Sequence, residues 1–159
     1  MLKGAKEGEV VTRFPPEPSG FLHIGHVKAA MLNFHYAKIY KGKMLLRFDD
    51  TNPMNEKIEF VENIMNDLKT LGITPDQISH TSDHFPTLID YMKQMIREGN
   101  AYADDGTAEE MKDQRDNKKE SKHRANTVEK NMEIFEQMLD GKTESWGGSN
   151  WCIRAKMNM

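Results

Sequence analysis

The sequence predicts an α/β fold in which parallel strands alternate with helices. Two observations carry this prediction: short apolar or β-branched runs alternate with segments of helical apolar spacing, and each of the first three helical segments ends near a glycine. Strands separated by helices of this length pair in parallel through right-handed crossovers. The pattern changes after Tyr102, so we expect a half-sheet over residues 10–103, a second subdomain over 104–159, and a polar extension over 1–9.

Three strands, each followed by a helix, make up the predicted half-sheet. The strands are expected at residues 10–14, 44–48 and 77–81. The segment from Pro15 to Gly20 contains three prolines and predicts a stiff, sharply turned loop, and residues 49–53 predict a polar loop. Apolar residues at helical spacing mark the helices: Val27, Ala30, Met31, Phe34 and Ala37; Val61, Ile64, Met65, Leu68 and Leu71; Phe85, Leu88, Ile89, Met92 and Ile96.

The second part has a different pattern. Residues 107–110 fit a capping box and open a nearly all-polar helix that we expect to run through Lys122. Residues 128–139 predict an amphipathic helix that ends at Gly141, and residues 151–157 alternate as in a strand. Because the chain stops inside that strand, we expect it to be a piece of a longer protein.

Composition narrows the classes of function. The chain has 159 residues, a net charge of -3, 37% hydrophobic residues and a mean hydropathy of -0.75. No apolar run approaches the ~20 residues that a membrane span needs, and the polar start does not resemble a secretory signal. The single cysteine, Cys152, builds neither a disulfide framework nor a zinc cage, which favours a cytoplasmic location. An acidic protein is not held on nucleic acid by net charge, so composition does not indicate RNA binding.

The segment His23-Ile24-Gly25-His26 follows the proline-rich loop and opens the first predicted helix. A helix N-terminus presents unpaired N–H donors to phosphate groups, and ligands of open parallel sheets bind beyond the carboxyl ends of the strands. The histidines add side-chain donors, and the glycine lets a flat base approach the backbone. Four such letters also occur in helices that bind nothing, so the nucleotide-site hypothesis depends on the strand and loop before them.

A longer segment contains this pattern, and a second segment supports the same resemblance. Residues 12–26, TRFPPEPSGFLHIGH, resemble the first, or HIGH, motif of class I aminoacyl-tRNA synthetases in the glutamate/glutamine branch, and residues 47–53, RFDDTNP, are similar to a second segment of that branch. SKHR at 121–124 and VEKN at 128–131 resemble the eukaryotic cytosolic glutamate enzymes, including the glutamyl part of the bifunctional glutamyl-prolyl enzyme. The resemblance implies the first half of a Rossmann-like nucleotide-binding catalytic domain and the beginning of an inserted acceptor-stem-binding subdomain.

The resemblance also implies a role for each matching position around ATP. His23 and His26 would face the phosphates as the catalytic pair, and Gly25 would lie under the adenosine. Mg²⁺ would accompany ATP as its counterion, and no protein residue is expected to bind a metal.

The amino-acid pocket follows from the same resemblance. Arg13 would bind the side-chain carboxylate of the substrate, because a guanidinium offers two parallel charge-assisted bonds. Phe14 and Pro15 would line this pocket through their backbone, and Glu17 would help orient the groups. Asp49 would take the ammonium of the substrate and lie near the tRNA 3′ end. The ordinary alternatives are a surface ion pair for Arg13 and a hydrogen-bonded turn for Asp49 and Asp50, of which Asp50 is expected to be the more structural.

The implied reaction has two steps and three partners. The α-carboxylate of L-glutamate attacks the α-phosphorus of ATP and pyrophosphate leaves, which gives glutamyl-adenylate. The 3′ ribose of tRNA(Glu) then attacks this mixed anhydride and takes the glutamyl group. Both steps depend on positioning and charge screening. The family's Lys-Met-Ser-Lys-Ser motif does not occur here, and Lys119-Glu120-Ser121-Lys122 is interpreted as a solvated charged face of the polar helix. We therefore expect this piece to be inactive alone. An exposed sheet edge would favour self-association, and association with other synthetases is a further possibility.

Three alternatives remain open from the sequence. A glutamine–tRNA ligase shares both motifs, although Ser19 and residues 121–131 favour the glutamate enzyme. A nucleotidylyltransferase carries a similar His-x-Gly-His but makes no use of the segment at 47–53. A non-catalytic nucleotide-binding fragment is the third. Ordinary roles are expected for the other histidines, His35, His80, His84 and His123. Trp146 and Trp151 are candidates for stacking on the tRNA end, although Trp151 on an alternating strand is more simply a core residue.

Overall fold

The computed structural model describes residues 2–140 and 151–157, which form two compact units that divide between Phe85 and Pro86. Gly141 and Trp146 lie outside the described residues. The first unit contains β1 (Val11–Phe14), α1 (Ile24–Ile39), β2 (Lys43–Phe48), α2 (Ile58–Thr70), β3 (Gln77–His80) and a 3₁₀ turn (Ser82–His84). The second contains α3 (Phe85–Arg97), β4 (Ala101–Asp104), α4 (Ala108–Asp116), α5 (Val128–Leu139) and β5 (Cys152–Ala155).

The strands β1, β2 and β3 form a parallel sheet in that order. This confirms the predicted α/β fold and the strand–helix alternation. Alternate strand residues face opposite sides. Phe14, Met44, Leu46 and Phe48 are buried on one side against residues of α1 and α2, so both helices cover the same face of the sheet. The side chains between them, including exposed Arg13 and half-buried Arg47, project from the other face.

Gly42 is a position of the first unit where the backbone of a neighbouring segment excludes a side chain. It lies between α1 and β2, and a Cβ there would come within 1.9 Å of the carbonyl oxygen of Val10. The close approach lets the amide of Gly42 bond the Ala37 carbonyl, at 2.8 Å, and the amide of Lys43 bond the Val10 carbonyl, at 2.9 Å. The glycine thereby joins the helix end to the start of β2, alongside β1.

The second unit is built on an antiparallel pair, β4 with β5. Ile96 of α3, Ala101 of β4 and Phe135 of α5 form its apolar core. The predicted amphipathic helix at 128–139 and the predicted strand over 151–157 are both confirmed. A domain boundary near residue 103, with a catalytic half-sheet before it and an inserted subdomain after it, stays a prediction.

The polar helix is shorter than predicted. α4 ends at Asp116, Lys118 has a φ of 51°, and the amide of Lys119 bonds the Gln114 carbonyl at 2.9 Å. This is the hydrogen bonding of a Schellman cap, with lysine at the left-handed position that glycine usually takes. The prediction of a helix through Lys122 was wrong because no glycine marked the end.

Candidate active site

The proline-rich loop between β1 and α1 is fixed to the chain that follows β2. Pro16 and Pro18 are buried, and their carbonyls accept hydrogen bonds from the amides of Asp49, at 2.9 Å, and Lys57, at 3.3 Å. Proline carries no N–H, so only its carbonyl needs a partner at these buried positions. The loop therefore brings the start of α1 and the segment after β2 to the same edge of the sheet.

The two histidines of the first motif cap the start of α1. His23 Nδ1 accepts a hydrogen bond from the Gly25 amide at 3.0 Å, and His26 Nδ1 accepts one from the His23 amide at 3.3 Å. Their rings stack with centroids 3.8 Å apart. A nitrogen that accepts a hydrogen bond carries no proton, so in the neutral ring the proton lies on Nε2. The cap therefore makes both Nε2 atoms donors, at a helix end that attracts anions.

The structure gives a second reason for a glycine at position 25, besides the approach of a base that the sequence suggested. A Cβ at this position would lie 2.8 Å from Cε1 and 3.0 Å from Nδ1 of the His23 ring. A side chain would therefore displace the imidazole from the capping position. The approach of an adenine base to this glycine stays a prediction.

Asp49 and Asp50 follow β2 and have different partners. The Thr81 hydroxyl lies 3.2 Å from the Phe48 carbonyl and 3.4 Å from Asp49 Oδ1. Asp50 is held on both oxygens, by the Ser82 amide at 2.9 Å on Oδ1 and by the Ser82 hydroxyl on Oδ2. Burial disfavours its ionised form, but the Ser82 hydrogen bonds outweigh burial and hold the pKa of Asp50 below its ordinary value. Asp49 is the exposed carboxylate of the two.

The remaining predicted residues lie around the end of β1. Phe14 is 3% exposed and belongs to the apolar core, so only its backbone is available to a ligand. Pro15 and Glu17 are exposed. Arg13 is exposed on the sheet face opposite α1, and among the described residues it makes no hydrogen bond or ion pair. Its guanidinium is thus available to a carboxylate ligand.

The structure joins some of these residues and leaves others apart. His23 and His26 are in ring contact, and Asp49 is linked to their loop through Pro16. No hydrogen bond or ion pair within residues 2–140 and 151–157 joins Arg13 to any of the three. A cavity of about 200 Å³ lies beside Asp50 and is lined by Pro18, Asp50, Glu56, Lys57, Ile58, Val61 and His80, without Asp49. Sequence reasoning missed Thr81 and Ser82, although two hydroxyl residues directly after a strand are a sign of side-chain capping.

A polar cluster in the second unit corrects the interpretation of Ser121. Its side chain is only 7% exposed and its hydroxyl donates to Asp104 Oδ1 at 2.9 Å. The Arg154 guanidinium donates to Oδ2 of the same carboxylate at 2.5 Å and to the Gln114 side-chain oxygen at 2.8 Å. Burial opposes ionisation of Asp104, yet bonds from Arg154, Ser121 and the Gly106 amide keep its pKa below the ordinary value. The segment at 119–122 is therefore neither helical nor wholly solvated.

Asp104, Asp105 and His123 place three possible metal ligands within 4.8 Å of one another. His123 Nε2 and Lys122 Nζ each lie 2.9 Å from Asp105 Oδ1. With Arg154 on Asp104, both carboxylates already have cationic partners. A divalent cation would have to displace lysine and arginine, so these residues fit an ion-pair network better than a metal site.

Next to this network is a basic cavity of about 330 Å³. Its lining includes five cationic side chains: Arg115, Lys118, Lys119, Arg124 and Arg154. Asp113 pairs with Lys119, Glu120 with Arg124, and Asp104 with Arg154. In the part of the chain that the structure describes, Arg115 and Lys118 make no ion pair. The cavity thus combines local positive charge with an acidic whole chain.

Comparison with known proteins identifies the relatives of this chain. The family described as "tRNA synthetases class I (E and Q), catalytic domain" matches residues 9–159. The chain is 54% identical over 158 residues to a probable cytoplasmic glutamate–tRNA ligase of Dictyostelium discoideum, and 52% identical over 158 residues to the bifunctional glutamate/proline–tRNA ligase of Mus musculus. It is 46% identical over 163 residues to a glutamine–tRNA ligase of Aliivibrio salmonicida. Each match covers 99% of this chain.

These relatives are much longer proteins. The chain spans 20% of the Dictyostelium protein, 10% of the mouse protein and 29% of the Aliivibrio protein. A solved glutamate tRNA ligase of Elizabethkingia meningosepticum, in complex with its amino acid, shares the fold with a TM-score of 0.65 and 23% identity, over 95% of this chain and 33% of that one. No described helix is long and apolar enough to cross a membrane. The family match and the identities confirm the resemblance: the chain belongs to the class I tRNA synthetases of the glutamate and glutamine branch, within their catalytic domain.

Proposed function

We propose that the chain supplies the ATP and glutamate half-site of a glutamate–tRNA ligase, which joins glutamate to tRNA(Glu) through a glutamyl-adenylate. One observation carries the proposal: the capping of α1 leaves the Nε2 atoms of both histidines as donors, and the loop before this helix is hydrogen-bonded to the backbone of Asp49, whose carboxylate is exposed, at one edge of a parallel sheet. Donors placed before the reaction stabilise negative charge that develops on phosphate oxygens. Relatives that are glutamate–tRNA ligases support glutamate as the amino acid, and those named cytoplasmic support that location.

In the first step, His23 and His26 would donate to phosphate oxygens as pyrophosphate departs, with Gly25 leaving room for adenosine. Arg13 would hold the side-chain carboxylate of glutamate, Asp49 would hold its ammonium, and the backbone of Phe14 and Pro15 with Glu17 would complete the pocket. Mg²⁺ would arrive on the ATP phosphates and neutralise part of their charge. Asp50 does not fit as its ligand, because Ser82 occupies both carboxylate oxygens.

The amino-acid assignment can be tested by binding alone. Calorimetry would compare a non-hydrolysable glutamyl-adenylate analogue with its glutaminyl counterpart on the 159-residue chain. We expect tighter binding of the glutamyl compound and its loss in Arg13→Gln. Tighter binding of the glutaminyl compound would favour the glutamine ligase, and binding of ATP without either compound would favour a nucleotide-binding fragment. The match over residues 9–159 favours a ligase over a nucleotidylyltransferase.

Turnover is a separate question. We propose that residues 104–159 begin an inserted subdomain and that this chain alone does not catalyse ATP–pyrophosphate exchange, because it lacks a Lys-Met-Ser-Lys-Ser segment to hold the departing phosphates. Robust exchange by the 159-residue chain would contradict that proposal. Self-association or association with other synthetases would appear as a mass above that of one chain in light scattering.

The basic cavity of the second unit supports tRNA as the partner. Cations that contact phosphates release counterions, which makes binding steeply dependent on salt. Replacing Arg115 and Lys118 by alanine should weaken binding of an acceptor-stem hairpin and lower the salt slope by about 1.5 to 2. Lys112 lies on the same helix as Arg115 but outside the cavity, so Lys112→Ala is the control. Equal effects of both sets of changes would contradict a role of the cavity.

A further inference from the structure

We propose that Ser82 and Thr81 are positioning residues for Asp49. Ser82 holds the loop by its two hydrogen bonds to Asp50, and Thr81 orients the Asp49 carboxylate towards an ammonium ligand. The inference rests on the proposed function for the identity of the ligand. The latch, as we call Thr81, Ser82 and Asp50, joins the end of β3 to the loop after β2.

The latch is built from several hydrogen bonds between two neighbouring strand ends. The amide of Thr81 bonds the Phe48 carbonyl at 3.0 Å and thereby extends the β2–β3 ladder to its last residue. Ser82 then offers its amide and hydroxyl to the two oxygens of Asp50. A carboxylate bound twice by one residue loses both translation and rotation, so the backbone at Asp50 is fixed relative to β3.

Asp49 is consequently held on three sides. Its amide bonds the Pro16 carbonyl at 2.9 Å, its neighbour Asp50 is fixed, and its Oδ1 lies 3.4 Å from the Thr81 hydroxyl. That hydroxyl has one proton and two acceptors, the Asp49 carboxylate and the Phe48 carbonyl. The carbonyl is the nearer acceptor, and the carboxylate is the ionised one, which strengthens a hydrogen bond of a given length. Oδ2 of Asp49 is left for a ligand, so the two adjacent carboxylates have separate tasks: one fixes the loop and the other binds.

The latch predicts a loss that depends on the ammonium group of the ligand. Calorimetry on the full chain would compare L-glutamate with glutarate, which has both carboxylates and no ammonium. Thr81→Val and Ser82→Ala should each weaken L-glutamate binding about 10-fold and leave glutarate binding unchanged. Thr81→Ser and Ser82→Thr, which keep the hydroxyl, should bind L-glutamate as the parent does. Thr70→Val is the control, because it removes a hydroxyl at the end of α2 that bonds the Asn66 carbonyl and no residue of the latch.

Equal weakening of both ligands would overturn the proposal, because it is what general destabilisation produces. A second measurement does not depend on ligands. Side-chain coupling constants of Asp49, measured by NMR, should report one rotamer in the parent chain and in Thr81→Ser, and an average of rotamers in Thr81→Val. Averaged couplings in the parent chain would overturn the latch. A parent chain that binds neither ligand would contradict the proposed amino-acid site, while the couplings still decide whether the latch exists.

Discussion

Replacing His23 by alanine or by asparagine should separate its structural and functional contributions. Alanine removes the acceptor for the Gly25 amide, whereas asparagine is among the best helix N-caps. Losing a capping acceptor costs about 1 kcal/mol, and water reaches this exposed site and replaces part of the bond. We therefore expect His23→Ala to lower the unfolding free energy by about 1 kcal/mol, a fall of roughly 4–8 °C in Tm for a unit of this size, and His23→Asn to stay within about 0.3 kcal/mol of the parent.

ATP binding should respond differently to the same two variants. Neither replacement places a donor where Nε2 of His23 lies, and a hydrogen bond to a charged group contributes about 1.5–3 kcal/mol. Both variants should therefore bind ATP about 10- to 100-fold more weakly, which urea titration and calorimetry on the same samples would measure alongside stability. The reasoning is refuted if asparagine destabilises as much as alanine, or if the asparagine variant keeps the parent's affinity for ATP.

Three further predictions concern the polar clusters. Asp104→Asn breaks its ion pair with Arg154, and breaking a buried pair costs about 3–5 kcal/mol. Because Arg154 keeps 28% of its side chain exposed, we expect the unfolding free energy, measured in urea, to fall by about 2–3 kcal/mol. Asp113→Asn is the control and should change it little. The carboxyls of Asp50 and Asp104 have pKa values below the ordinary 3.8. Their ionised forms therefore stabilise the fold fully above that pH, and this stabilisation is lost as the pH falls through the lowered values. An unfolding free energy that stays constant between about pH 5 and 2 would contradict this. Burial, with repulsion from Asp104, raises the pKa of the Cys152 thiol, so iodoacetamide at pH 8 should alkylate the folded chain more slowly than the urea-unfolded chain, and equal rates would contradict it.

Sequence patterns predicted the elements well where the signal is local. Helical spacing and strand propensity located the three parallel strands and the first three helices, because the spacing of apolar residues within a segment marks the face that it buries. The end of α4 was missed for an equally local reason: Lys118 adopts the left-handed conformation that glycine usually marks. Met31, which fits the apolar stripe of α1, is 52% exposed, because that helix is apolar on more than the side that covers the sheet.

Local sequence patterns could not predict the contacts between residues that are distant in sequence. Nothing local distinguishes Asp49 from Asp50 in the polar loop, and the distinction comes from residues more than 30 positions later, at the end of β3. Strand order and register decide which hydroxyl meets which carboxylate, since Phe48 pairs with His80 and so puts Thr81 and Ser82 beside the two acids. A shift of one residue in that register would put different side chains beside the two acids and turn side chains to the opposite face. The assignment of ligand binding to the first aspartate therefore depends on how β2 pairs with β3, and a substitution that changes this pairing should alter glutamate binding without touching a residue of the pocket.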